Sequence, residues 1–153
     1  MRIDLLTILA DKLDTIPPSK FNIAIWFETS WFGFKKCGCA IGWATQMSEF
    51  NAEGLTLSLY GTPRLCRNGE TSYSSDACVE LFEMTLAQAS SLFCPSGYDC
   101  RNANAASGVT PSMIATKIRR MIQIEQMKQG ELIKSRIVEQ PDVKSVLKQL
   151  KSA

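Results

Sequence analysis

The sequence predicts a mainly α fold: one compact helical domain over 1–123 with a small two-stranded β element, then a basic amphipathic helical extension over 124–153. Three observations predict it. Apolar residues recur at i, i+3, i+4 and i+7 along most of the chain. Residues that start and stop helices bracket those stretches. Strict alternation of apolar and polar residues occurs once, at Leu55-Thr56-Leu57-Ser58-Leu59, shortly before an Asn68-Gly69 turn signal.

The first helix is expected over Asp4–Thr15, with Leu5, Leu9, Leu13 and Ile16 on one stripe and Leu6 and Ile8 widening it. Pro17-Pro18 ends it, because proline lacks the N–H and restricts the residue before it. An aromatic block follows, Phe21, Trp26, Phe27, Trp31, Phe32 and Phe34. Aromatics of this density belong in a core, or in a stacking surface if some are exposed. Ile23 to Phe27 fits a short buried strand or a helical turn equally well. The chain is expected to be organised around Cys37-Gly38-Cys39-Ala40-Ile41-Gly42-Trp43-Ala44-Thr45-Gln46-Met47, read as a helix with Ala40, Trp43, Ala44, Met47 and Phe50 facing inward. Gly42 inside that helix destabilises it by about 1 kcal/mol relative to Ala, and such a glycine lets another backbone come close. Leu55–Leu59 reads as a half-buried strand, turned by Gly61-Thr62-Pro63. Residues 64–75 read as a small hairpin or an irregular insertion.

A short helix over Ser75–Glu83 buries Cys78, Leu81 and Phe82. Thr85-Leu86-Ala87-Gln88 is a capping box, opening a helix that runs to Phe93 with Leu86, Ala89, Ser90 and Phe93 inward. Cys94-Pro95 ends it, and a loop of small residues leads to Thr110-Pro111. There Thr takes the N-cap and Pro the first helical position. Ile114, Ile118, Met121 and Ile122 face inward from this helix, which Gly130 is expected to stop or interrupt. Pro141 opens a last short helix.

Composition sets the class. At 153 residues, 45% hydrophobic and 21% charged, the chain can bury a real core. Residues 1–110 carry eight Lys/Arg against eleven Asp/Glu, a balance of −3; residues 111–153 carry nine against four, a balance of +5. No run approaches the ~18 apolar residues of a membrane span, and Met1-Arg2-Ile3-Asp4 opens into a helix rather than a signal peptide. A cytoplasmic location without membrane contact is expected, with the six cysteines reduced. The chain has no histidine, which excludes Ser-His-Asp and Cys-His catalysis and every His-containing metal site.

Four chemistries remain. Cys37, Cys39, Cys94 and Cys100 are the only thiols whose spacing suggests zinc, and C-x-C with C-x5-C departs from the usual C-x2-4-C knuckles; Cys39, Cys66 and Cys78 read as small core residues. Cys37 or Cys39 beside Lys35 and Lys36 at a helix start resembles an activated thiol, with Glu28, Asp76 or Asp99 as the available bases. Lys35 and Lys36 ahead of that helix, with Arg64, Arg67 and Arg101 on loops, are the candidate anion-binding residues. The tail sets Lys117, Arg119, Arg120, Lys128, Lys134, Arg136, Lys144, Lys148 and Lys151 among Ile133, Ile137, Val143, Val146, Leu147 and Leu150. Apolar residues interleaved with cations suit a protein groove or a second copy of the chain better than nucleic acid.

Leu9-Ala10-Asp11-Lys12-Leu13, Ile16-Pro17-Pro18-Ser19-Lys20-Phe21-Asn22 with Trp26, and Cys37-Gly38-Cys39-Ala40-Ile41-Gly42-Trp43-Ala44 resemble the conserved blocks of a family of small bacterial and phage proteins. Leu81-Phe82-Glu83-Met84-Thr85 with Ser91-Leu92-Phe93, and Thr110-Pro111 with Ile114 to Ile122, are similar to its later blocks. The resemblance covers roughly 5–122 and implies a bacterial or phage setting; the family has no established activity, so no catalytic residue follows from it. The expected function is a non-catalytic interaction protein without a cofactor, phage-encoded and directed at a host protein or defence system. The alternatives are a small-ligand or nucleotide-sequestering protein and a cysteine-dependent or zinc-bearing protein.

Overall fold

The structure, a computed structural model, describes residues 1–29, 36–98 and 108–139; for Thr29 and 135–139 it describes the backbone only. Helix α1, Ile3–Asp14, forms on the predicted stripe and buries Leu5, Leu6, Leu9, Ala10 and Leu13. Past Pro17 the chain makes one 3-10 turn, Pro18–Lys20, and then pairs with itself. Strand β1, Phe27–Thr29, runs antiparallel to β2, Lys36–Gly38, with Phe27 opposite Gly38 and Glu28 opposite Cys37.

The helix expected from Cys37 to Phe50 is therefore not continuous. Its first residues are extended because their backbone groups pair with β1. The remainder is two short helices, α2 at Ala40–Ala44 and α3 at Ser48–Ala52, separated by a turn. The reason lies at Gly42. A Cβ there would overlap the Trp26 carbonyl oxygen, so glycine alone lets the segment before β1 lie across α2. The Cys39 N–H donates to the carbonyls of Ile25 (2.7 Å) and Trp26 (3.2 Å). Trp43 is half-buried rather than central: its indole N–H donates to the Lys20 carbonyl at 3.1 Å and its ring meets Phe27 edge-on at 5.3 Å.

A second sheet follows. Strands β3 (Leu55–Leu57), β4 (Pro63–Arg67) and β5 (Glu70–Tyr73) form an antiparallel sheet in that order. Asn68 and Gly69 both take positive φ, +51° and +82°, as a two-residue type I′ hairpin turn requires. Thus the mainly α class with one two-stranded element is corrected: the fold is mixed α/β, with a two-stranded and a three-stranded antiparallel sheet. Strands β1 and β2 are three residues each, too short to leave an alternating pattern in the sequence, and what defines them is their backbone pairing with one another.

Helix α4, Ser74–Phe82, lies against β4 and β5. Helix α5, Leu86–Phe93, carries the predicted capping box, with Gln88 N–H donating to Thr85 Oγ1 and Thr85 N–H donating to the Gln88 side chain. Leu86 is exposed rather than inward; Ala89, Leu92 and Phe93 are the buried residues of this helix. In the core Phe50 meets Phe82 edge-on at 6.1 Å between ring centroids, and Phe82 lies tilted against Phe93 at 5.5 Å. Helix α6 spans Pro111–Glu139 and passes Gly130 without a break. Ile114, Ala115 and Ile118 are fully buried, and Arg119 pairs with Asp11 and Asp14 of α1 at 2.8 and 2.7 Å. The chain divides into two compact units within this helix, Met1–Arg119 and a second starting at Arg120. The described part of the second unit is the rest of α6.

The two helical glycines make opposite predictions under one substitution. Gly42→Ala should destabilise by on the order of 3 kcal/mol or more, because the clash is with backbone and not with a side chain that can swing away. Gly130→Ala meets nothing within 4 Å and should stabilise the helix by about 1 kcal/mol. Denaturant melts of the two variants against the parent check both signs.

Candidate functional site

Side chains alternate along a strand, so β4 divides its residues between two faces. Pro63 and Leu65 are buried while Cys66 is exposed. Arg64 shares the outer face with Cys66, and the register sets it directly between Thr56 of β3 and Tyr73 of β5. Cys66 sits opposite Thr71, with sulfur and hydroxyl 3.6 Å apart. It is a surface thiol rather than the core residue expected.

The alternating run expected to continue to Leu59 ends as a strand at Leu57, because Ser58 turns the chain. Its N–H donates to the Thr62 carbonyl at 2.8 Å and its carbonyl accepts from Gly61 N–H at 3.0 Å. Its Oγ accepts from the N–H groups of Tyr60 and Thr62. This turn holds Leu59 and Tyr60 out in water, 101% and 94% exposed. Ser58, Leu59, Tyr60, Thr62, Arg64 and Tyr73 line an open cleft of about 450 Å³.

Arg64 is incompletely satisfied there. Its Nη2 stands 3.4 Å from Thr56 Oγ1. Its Nε is buried with no hydrogen-bond partner, and among the described residues it makes no ion pair. Every other arginine with a described ion pair is held by acids. Arg2 grips Glu53 through both terminal nitrogens (3.2 and 3.0 Å) and also bonds Asp4. Arg67, on the opposite face of β4 from Arg64, bonds the Glu53 carboxylate and the Glu53 carbonyl. The Arg2 hydrogen bond, with Arg67 behind it, holds the Glu53 carboxyl below its ordinary range.

The structure places the other expected site residues as follows. Arg64 and Arg67 lie on a strand, not on loops. Lys36 is exposed on β2, not at a helix start; Lys35 and Arg101 lie outside the described residues. Cys39 is the N-cap of α2, and its sulfur accepts from Gly42 N–H at 3.4 Å. Complete burial nevertheless pushes its thiol up to about 11, so desolvation outweighs the helix start and no activated thiolate results. Burial also raises Cys37, with the Glu28 charge adding to it. Cys94 is half-buried beside a smaller cleft of about 220 Å³ formed with Ile23, Trp26 and Phe93. Cys100 lies outside the described residues. Among the described residues no three Cys, Asp or Glu side chains gather closely enough to hold a metal ion, and no helix is long and apolar enough to cross a membrane. In the tail Ile133 is exposed, as are Ile124 and Met127; the Ile137 side chain and Val143, Val146, Leu147 and Leu150 lie outside the described residues. Leu59, Tyr60 and Tyr73 had no place among the expected site residues. The available signal was two large apolar residues immediately before a Gly-Thr-Pro turn.

Two measurements check this electrostatic picture. A carboxyl whose folded pKa is depressed contributes stability above its unfolded value and loses it as pH falls through the folded one. Glu53, with an ordinary value of 4.5, should therefore make the protein progressively less stable below about pH 4.5. Glu53→Gln should be less stable at pH 7 yet lose less on acidification, as denaturant midpoints from pH 7 to pH 3 will report. In native protein a thiol reagent should label Cys66 readily and spare Cys39 and Cys78 until the chain unfolds, as mass mapping of the labelled peptides will show. Comparison with family models, curated proteins and solved structures finds no match, so every role given to these residues is read from their own geometry and chemistry.

Proposed function

We propose that this chain is a non-catalytic protein-binding module whose contact surface is the outer face of the β3-β4-β5 sheet. The observation that carries the reading is the stiff Ser58–Thr62 turn presenting Leu59 and Tyr60 to water beside Tyr73 and Arg64. Leaving apolar surface in water is unfavourable by roughly 25 cal/mol per Å², and nothing in the turn requires large side chains at those two positions. Its hydrogen bonds all run through Ser58, Gly61 and Thr62 or through the Tyr60 backbone. A turn locked before binding has little conformational entropy to lose on binding. Tyrosine and arginine are also the residue types that dominate binding energy at protein interfaces. The burial that raises the Cys37 and Cys39 thiols and the lack of histidine support a binding role over a catalytic one.

The test is a double substitution, Leu59→Ser with Tyr60→Ser, which touches no buried residue and should leave the thermal midpoint unchanged. Full-length parent and variant are used to capture partners from a bacterial lysate. A protein retained by the parent should be lost by the variant, with affinity falling on the order of thirtyfold or more if each side chain contributes about 2 kcal/mol or half of it. Equal retention by both proteins overturns the reading. Light scattering on the parent separates a second copy of the chain from a foreign partner.

A further inference from the structure

From the placement of Arg64 we infer that the partner of this surface is recognised through a side-chain carboxylate, an Asp or Glu next to an apolar residue, which docks in the cleft against Arg64. The inference rests on the proposed binding role and names the chemistry of what binds. Arg64 is a fixed positive charge at the middle of the face, flanked in register by Thr56 and Tyr73. Its Nε lacks a partner and its one side-chain contact, to Thr56 Oγ1, is long. The Nε is closed to solvent, but the guanidinium shares one positive charge over its three nitrogens, so an acid that reaches the terminal nitrogens, of which Nη2 has only the long contact to Thr56 Oγ1, compensates that charge.

The rest of the cleft favours the same ligand. Ser58 Oγ accepts two backbone N–H groups, so its own proton is left to donate. Tyr60 and Tyr73 add hydroxyls on exposed rings, and the described residues lining the cleft include no carboxylate. A pocket with donors, apolar walls and one cation matches a single negative charge carried on an apolar segment. Phosphate recognition in proteins uses clusters of arginines, whereas here Arg64 is the sole Lys or Arg among the described residues lining the cleft. The cleft is open and its apolar walls stand in water, so a charge pair with Arg64 gains strength only when a partner's apolar segment packs over Leu59 and Tyr60 and excludes water from it.

The experiment pans the immobilised full-length protein with a random linear peptide library and measures the affinity of enriched peptides. Enriched sequences should share an Asp or Glu beside an apolar residue. Changing that acid to its amide, and separately Arg64→Met, should each weaken binding about tenfold or more. The two changes together should be no worse than either alone, because they remove the same contact. Arg64→Lys keeps the charge but loses the planar fork, and should also bind more weakly. Should Arg64→Met fail to fold, the amide peptide against the parent protein still decides the matter. Peptides that depend on Leu59 and Tyr60 but carry no acid, or are indifferent to its amidation, overturn this inference and leave the binding role standing. Displacement of bound peptide by inorganic phosphate at concentrations where acetate has no effect also overturns it. Peptides indifferent to the Leu59→Ser, Tyr60→Ser variant, or no enrichment at all, overturn the binding role and this inference with it.

Discussion

The close approach of the Trp26 carbonyl to α2 is the constraint on which the first half of the molecule depends. The Cys39 N–H donates to the carbonyls of Ile25 and Trp26, and the Cys39 thiol lies 3.6 Å from the latter. Gly42 leaves room for that carbonyl in the next turn of the helix. Once the crossing is made, β1 and β2 are brought into register, Phe27 meets the Trp43 ring, and the Trp43 indole reaches back to Lys20. The buried cysteine then has a structural task. It caps a five-residue helix with its sulfur while its own backbone closes the crossing, and the dry environment that makes the packing tight also keeps the thiol protonated.

The same crossing explains why parts of the fold were legible in the sequence and parts were not. Helices α1, α4 and α5 and the start of α6 declare themselves locally: a stripe of Leu at Leu5, Leu9 and Leu13, a capping box at Thr85 and Gln88, a proline at Pro111. Each of those signals is a property of consecutive residues. The helix imagined over Cys37 to Phe50 had an equally good stripe, but whether Cys37 is helical depends on Glu28, nine residues earlier and opposite it in the sheet. Gly42 carried a correct hint, the approach of another backbone, without saying which backbone. Gly130 shows the converse: an isolated glycine in a long exposed helix costs only about 1 kcal/mol relative to Ala, too little to stop it.

The candidate site was legible in its charge and not in its geometry. Arg64 and Arg67 stand out as cations in the sequence, yet nothing local separates them. Leu59 reads as the end of a half-buried strand because the alternation runs to it, whereas the hydrogen bonds of Ser58 end the strand at Leu57, two residues sooner. Exposure is a property of the finished surface. A pair of apolar residues before a turn looks the same in sequence whether the turn folds over them or, as here, holds them away from the body.

What separates the two arginines is strand parity. They are three residues apart on one strand, so their side chains leave opposite faces of the sheet. Arg67 falls on the face shared with Glu53, which Arg2 also grips, and its charge is neutralised within the fold. Arg64 falls on the other face between Thr56 and Tyr73, where neither neighbour carries a charge. A register slip of one residue would exchange the two faces, burying Arg64 against the core and exposing Leu65. The buried pair Leu55 and Leu65, opposite each other and fully enclosed, opposes that slip. The hydrophobic register that stabilises the inner face therefore also fixes on the outer one a guanidinium without an ion pair among the described residues, so the folded core and the charge proposed to meet a partner follow from the same pairing of strands.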